Sequence, residues 1–359
     1  MKVFVRSSSS FLIWFLFLGL TLASCGGSTT PSANSPSSMT LKVGVITNAM
    51  SFFPLYVALQ QNFFKTQGLT LDPPNPPFLG AGSKVGTAVE ANSLDVGVGA
   101  LTDAFTISRV DAHIKVIGTM SSDFLLDIIV TKQFEQQMHV DAKSSLADKV
   151  KALVGKKVGI SAPNSATDAM LTYLFRQQGL DAQKDVTKVS VGANTASELA
   201  TLKAGRLDAV FVGAPGGQQA ELAGFADTFI SPVRGDVPTM QGQLFAVAYA
   251  KQQVIDAKPK AVEAFIRGLA QADDFIQKNP DKVVDLLKNY LQIDQKTAQA
   301  AWNANKASMP QSPQVDQQAY DVANQFHVKA GLIAIALAYK DIVATDIINN
   351  ALKGSSSSS

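Results

Sequence analysis

Hydrophobic and polar positions along this chain alternate between two rhythms. "KVGVI" (Lys42 to Ile46) and the run Val158 to Ser161 are short β-branched stretches that read as strands. Each is followed by apolar residues at helical spacing: "PLYVALQQNFFKTQGL" from Pro54, closed by Gly68, and a helix from about Ala166, closed by Gly179. Two further helices, Lys84 to Ser93 and Ala196 to Gly205, lead into "LDVGVGA" (Leu94 to Ala100) and "LDAVFVGA" (Leu207 to Ala214). Each half therefore reads β-α-β-α-β, which predicts an α/β fold with one mainly parallel sheet per half, helices on both faces.

The halves correspond in sequence as well as in order. Lys42 pairs with Lys157, Gln67-Gly68-Leu69 with Gln178-Gly179-Leu180, and Leu94-Asp95 with Leu207-Asp208, at offsets of 115, 111 and 113 residues. Near-constant spacing over three landmarks marks two copies of one unit. In open sheets of this kind ligands bind outside the carboxyl ends of the strands, where Gly99 to Asp103 and Gly213 to Gln218 fall. "LLDIIVTK" (Leu125 to Lys132) and "LFAVAYAK" (Leu244 to Lys251) lead out of the two copies and are expected to form paired hinge strands. The helical stretches Pro259 to Asn279 and Pro280 to Leu291 each open on proline and are expected to pack back on the first lobe. "DPPNPP" (Asp72 to Pro77) requires the strand before it to be short or at an edge, because proline cannot donate to a ladder.

The ends of the chain follow a different logic. Lys2 and Arg6 precede the apolar stretch "FLIWFLFLGLTLA", too short to span a bilayer at about 18 residues or more, so residues 1–24 read as a secretory signal. "LASC" (Leu22 to Cys25) resembles the bacterial lipobox and sets the single cysteine at the cleavage point. A diacylglycerol on Cys25 would tether the protein to the membrane without crossing it and would leave no free thiol. Residues 25–40, rich in Gly, Ser, Thr and Pro, read as a flexible spacer, and residues 353–359 as a serine tail. The formal charge of +2 vanishes with Lys2 and Arg6, so there is no basic field to recruit nucleic acid.

Taken in order, "PLYVALQQNFFKTQGLTL", "ANSLDVGVGA", "LVGKKVGISAPNSATDAMLTYLFRQQGLD", "LATLKAGRLDAVFVGAP" and "AGLIAIALAYKDIVATDII" resemble the substrate-binding proteins of bacterial ABC importers, in the nitrate, sulfonate, taurine and thiamine-pyrimidine-precursor branch. The resemblance covers Leu41 to Leu352. It implies a two-lobed type II periplasmic-binding-protein fold, with residues 41–126 plus 246–352 in one lobe and 127–245 in the other. It also implies a ligand cleft that closes, no cofactor, a monomer, and delivery to a membrane permease. No Walker loop is present, so the ATPase of such a system is a separate chain.

Candidate contacts come from the strand ends. Asn48 and Ser51 offer hydrogen bonds, while Phe52 and Phe53 are either stacking surfaces or core. Gly82 and Ser83 begin a helix whose free N–H groups face the cleft, unless Ser83 is a plain cap. Asn164, Ser165, Ala166 and Thr167 form the matching start in the second lobe. Asn194, Gly213 and Ala214 end second-lobe strands, and Ala100, Thr102 and Asp103 end a first-lobe strand. Asp103, like Asp123, reads equally as a helix cap. Near a cleft it disfavours a bare anion and suits an amine or ring N–H. The ligand expected is a nitrate- or sulfonate-like anion or a small heterocyclic compound.

Two other function classes remain open to sequence. Thiamine-pyrimidine synthases share the family look, but they carry a cysteine-rich motif and reactive histidine and lysine. Here His113, His139 and His327 are scattered, outside any cleft loop and without metal-ligand spacing, which assigns them to surface or core. A sensor subunit of a signalling system would have the same sequence features as a transport receptor.

Overall fold

The computed structural model describes residues 39–353. The signal, the lipobox cysteine, the spacer as far as residue 38 and the tail after Lys353 lie outside the described residues; Met39 and Thr40, expected in the spacer, belong to a strand, and Lys353, expected in the tail, ends helix Thr345–Lys353. The chain enters on β1 (Met39–Leu41) and continues after one residue as β2 (Val43–Val45). β3 (Leu69–Leu71) runs parallel to β1, and β4 (Val96–Ala100) runs parallel to β2. β3 has three residues and lies in a two-stranded sheet, as the proline run after it requires.

The chain then forms β5 (Ile114–Ser122) and β6 (Leu126–Thr131). The second copy contributes β7 (Lys157–Ile160), β8 (Thr187–Ser190) and β9 (Ala209–Gly213), followed by β10 (Ala226–Ile230) and β11 (Leu244–Lys251). One sheet has the order β2-β4-β11-β5 and the other β8-β7-β9-β6-β10. Each has a single reversed strand: β11 is antiparallel to β4 and β5, and β6 is antiparallel to β9 and β10.

This corrects the expectation of paired hinge strands. β6 and β11 do not pair with each other; each crosses into a lobe and becomes an interior strand of its sheet. β11 is apolar and buried from Leu244 to Ala250, and β6 is apolar apart from Asp127 and Thr131, because both faces of each are covered. The crossings do touch where they begin, since Leu244 sits in register with Ser122 and Asp123 N donates to Gln243 O at 2.8 Å.

The sequence repeat has a structural cause. Lys42 N donates to Asp95 Oδ2 at 2.7 Å, and Lys157 N donates to Asp208 Oδ2 at the same distance. Leu94 lies against Gly44 and Leu207 against Gly159, so each glycine in a first strand makes room for the leucine that precedes a third strand.

Helix Pro259–Lys278 packs on Phe53–Gln60, Phe63–Thr66 and β1, with Phe265 stacked on Phe64 at 5.1 Å. Helix Pro280–Leu291 follows it onto the first lobe, where Tyr290 stacks on Tyr56 at 4.5 Å. Helix Gln317–Ala330 lies across the junction, against β11 and against second-lobe helix Ala166–Gln177, with Tyr173 and Phe326 meeting edge to face at 5.1 Å.

Candidate functional site

The carboxyl ends of β2, β4, β7 and β9 converge between the lobes on a cavity holding about 630 Å³ of unfilled space, its mouth included. The first lobe contributes Ile46, Thr47, Ala49, Ser51, Phe52, Gly82, Ala100, Asp103 and Phe245, and the second contributes Leu126, Ser161, Ser165, Ala166, Thr167, Ala193, Thr195, Glu198, Phe211 and Gly213. Two backbone hydrogen bonds cross the cleft beside it, Met50 N to Ala214 O at 3.1 Å and Ala193 N to Gly80 O at 3.1 Å. The lobes are thus in contact, and the cavity is the space they close over.

Asp103 takes both of its alternatives at once. It stands in the first turn of helix Leu101–Ser108, where Oδ2 accepts from Ala100 N at 2.9 Å, and its carboxyl also lines the cavity. Gly82, first residue of helix Gly82–Glu90, is pressed against that carboxyl; a methyl group there would occupy its place. Burial raises the Asp103 pKa to about 7, against the lowering effect of the Ala100 hydrogen bond.

The second carboxyl was not legible as a site residue. Glu198 lies in the first turn of helix Thr195–Lys203, is 5% exposed, and has no side-chain hydrogen bond among the described residues. Burial pushes its pKa up to about 8. A glutamate near a helix start is an ordinary pairing with the helix dipole, so sequence gave no reason to single it out. Phe211, Phe245, Leu126 and Ile46, which make the walls apolar, were missed for a similar reason: in sequence they are ordinary strand residues. No lysine or arginine lines the cavity among the described residues.

The hydroxyls gather on the second lobe. Ser165 caps helix Ala166–Gln177 by accepting from Asp168 N at 3.3 Å. Thr167 Oγ1 accepts from Ser161 N at 2.9 Å and lies 2.8 Å from Ser165 Oγ and 3.1 Å from Ser161 Oγ. The sequence had marked Ser165, Ala166 and Thr167 but not Ser161.

The remaining candidates sit elsewhere. Asn164 is exposed at φ 60°, its N–H donating to Asp168 Oδ2. Asn194 is exposed and caps its helix through Ser197 N at 2.9 Å. Ser83 points to solvent, and Asn48 is half-buried beside the wall that Thr47 forms. Phe53 is fully buried among Tyr56 and Tyr290, so of the aromatic pair it is Phe52 that reaches the cavity. Ala214 serves the lobe contact through its carbonyl.

Thr102 and Asp123 have structural partners. Thr102 Oγ1 is 2.7 Å from His327 Nε2, and His327 Nδ1 donates to Ala323 O at 2.6 Å, which fixes the tautomer and makes the threonine hydroxyl the donor. Burial lowers the His327 pKa to about 4, so this is a neutral core histidine. Asp123, at φ 55°, accepts from Gly242 N at 2.8 Å and Ser308 Oγ at 3.1 Å and so ties the two crossings together.

The sequence matches the model of the NMT1-like family over residues 34–288. A comparison with curated proteins finds no match. Among solved structures, a protein of Bordetella bronchiseptica RB50 superposes with a TM-score of 0.74 at 20% identity, over 89% of this chain and 98% of its own. The periplasmic nitrate-binding protein NrtA of Synechocystis PCC 6803 gives 0.69 at 14% identity, over 89% and 90%. The periplasmic aliphatic sulphonate binding protein SsuA of Escherichia coli gives 0.62 at 15% identity, over 87% and 100%. They share its two-lobed fold.

Proposed function

The chain belongs to the NMT1-like family, and from that premise we propose that it is the extracytoplasmic ligand-binding component of an ABC importer. It captures one small molecule between its lobes and hands it to a membrane permease whose ATPase is a separate chain. The observation that carries this reading is the cavity itself: it is walled by strand ends and helix starts from both lobes, so a ligand that touches both walls favours the closed arrangement. Two of the structural neighbours bind nitrate and an aliphatic sulphonate, which supports the same task for the shared fold.

The lining offers hydroxyls, two carboxyls and aromatic faces, and its one nearby histidine is bonded away from the cavity. This arrangement suits binding without turnover. In this reading the protein is exported, and Cys25 carries the lipid that holds it at the membrane, as a monomer. Cys25→Ser should release the protein into the soluble fraction; a variant that stays with the membranes would overturn the anchor.

The test of function is a metabolite screen by thermal shift on the chain from Met39 onward. One ligand should stabilise the fold in proportion to the logarithm of its concentration, by about 2.7 kcal/mol at a hundred times its Kd, and so raise the melting temperature. Consumption of that ligand by the purified protein alone would overturn the binding-protein reading.

A further inference from the structure

Two carboxyls enter the cavity from opposite lobes, and neither has a basic partner there. Asp103 comes from the first lobe and is 5% exposed, its carboxyl accepting from Ala100 N among the described residues. Glu198 comes from the second, equally buried, with no bond to its carboxyl among the described residues. A carboxyl on a cavity wall that lacks a basic partner is open to a donor on whatever enters the cavity, because an ionised carboxylate is costly there without one. Around them the walls are apolar, with Phe52, Phe211 and Phe245 facing the same space.

We infer that the ligand is an organic cation: an N–H-rich head, such as an amidinium, guanidinium or protonated amine, bridges Asp103 and Glu198, and a flat apolar body lies against the phenylalanines. The inference rests on the binding-protein reading and sharpens it, because the nitrate- and sulphonate-binding neighbours take anions. Since the carboxyls belong to different lobes, the cation also joins the lobes and has its full set of contacts in the closed form.

The surrounding charges do not change this picture. The titratable group facing Asp103 is the buried Tyr249 phenol of β11, which stays protonated; His327, bonded to the adjacent Thr102, stays neutral. Near the Glu198 helix, Glu221 is bonded to Thr228 N and Asp127 to Ser231, and burial is the one influence on Glu198. In the empty cavity burial favours the protonated form of both acids, raising Asp103 to about 7 and Glu198 to about 8. Binding a cation favours the ionised form, so it releases protons, and affinity rises with pH until both acids ionise unaided.

Benzamidine, benzamide and benzenesulfonate share one ring and differ in the charge of the head. At pH 8 benzamidine should raise the melting temperature most and benzenesulfonate least. Calorimetry in buffers of different ionisation heat should show proton release, and benzamidine affinity should climb by on the order of a hundredfold or more from pH 6 to pH 8, about tenfold of it through Asp103 and the rest through Glu198. Glu198→Gln should lose at least about tenfold in benzamidine affinity and flatten that pH dependence. Asp103→Asn, which keeps an acceptor for Ala100 N, should do the same to a smaller extent.

Tighter binding of benzenesulfonate or nitrate than of benzamidine overturns the cation assignment, as does unchanged benzamidine affinity in Glu198→Gln. So does the absence of a shift with all three probes. Native mass spectrometry of the protein as purified decides the underlying reading separately: a retained small molecule of any charge upholds a binding protein, and a retained anion sinks the cation assignment alone.

Discussion

At the scale of single residues, the cavity is a place where stability is given up. Glu198 is held in the folded protein with a pKa raised from 4.5 to about 8, so between those values the folded state keeps a proton that the unfolded chain has released. Its contribution is intact below about pH 4.5 and is lost as pH rises through about 8. Glu198→Gln should therefore stabilise the ligand-free protein at pH 9 by on the order of a few kcal/mol, seen as a higher melting temperature, and change little at pH 5. Equal effects at both pH values would show that the carboxyl is not desolvated. Gly82 is the second sensitive position, because a side chain there meets the Asp103 carboxylate. Gly82→Ala should displace that carboxylate and weaken probe binding by about tenfold or more while costing no more than about 1–3 kcal/mol in urea unfolding, the usual range for a methyl group forced into a filled site. Unchanged affinity would mean that Asp103 moves without consequence for the ligand.

At the scale of elements, the repeated Leu-Asp pair is the working part of the duplication. Asp95 and Asp208 fasten the third strand of each copy to the start of the first, and the leucines fill the notch above Gly44 and Gly159. Gly44→Ala and Gly159→Ala should each cost about 1–3 kcal/mol by overpacking. Pairing Gly44→Ala with Leu94→Ala should recover part of that loss in a double-mutant cycle, and strict additivity would disprove the notch. This is why the repeat was legible: its landmarks are local sequence pairs whose chemistry needs those residues. The crossing strands were legible as strands, from the apolar runs at Leu126–Thr131 and Leu244–Lys251, but their partners were not. Which sheet a fully buried strand joins depends on contacts distant in sequence, and an apolar run fits any interior position. Candidate contacts divided in the same way. Strand-end and helix-start positions such as Ser51, Gly82, Asp103 and Ser165 do reach the cavity, because topology alone brings them there. Direction within a loop was not legible, so Phe52 could not be told from Phe53, nor Ser165 from its exposed neighbour Asn164.

At the scale of the whole molecule, the proposed function makes binding and closure one equilibrium, in which the two crossings tied by Asp123 would be the pivot and the cavity walls the contact. The closed form can be locked to test this. Gly213 at the end of β9 faces Ala49 across the cleft, and a β-carbon built on Gly213 lies 3.6 Å from that of Ala49, within the span a disulfide requires, about 3.5–4.5 Å. The double variant Ala49→Cys, Gly213→Cys, made in the chain from Met39 onward, contains no other cysteine, since Cys25 precedes its start. Oxidised without ligand, it should take up benzamidine at least about tenfold more slowly than the reduced form. Oxidised with ligand bound, it should release it as slowly, because exchange requires the lobes to part. Small-angle scattering should show one compact radius for the oxidised protein with or without ligand, and a ligand-dependent radius after reduction. Rapid exchange through the locked cleft would mean that the cavity is reached by another route and that lobe opening is not the step that admits the ligand.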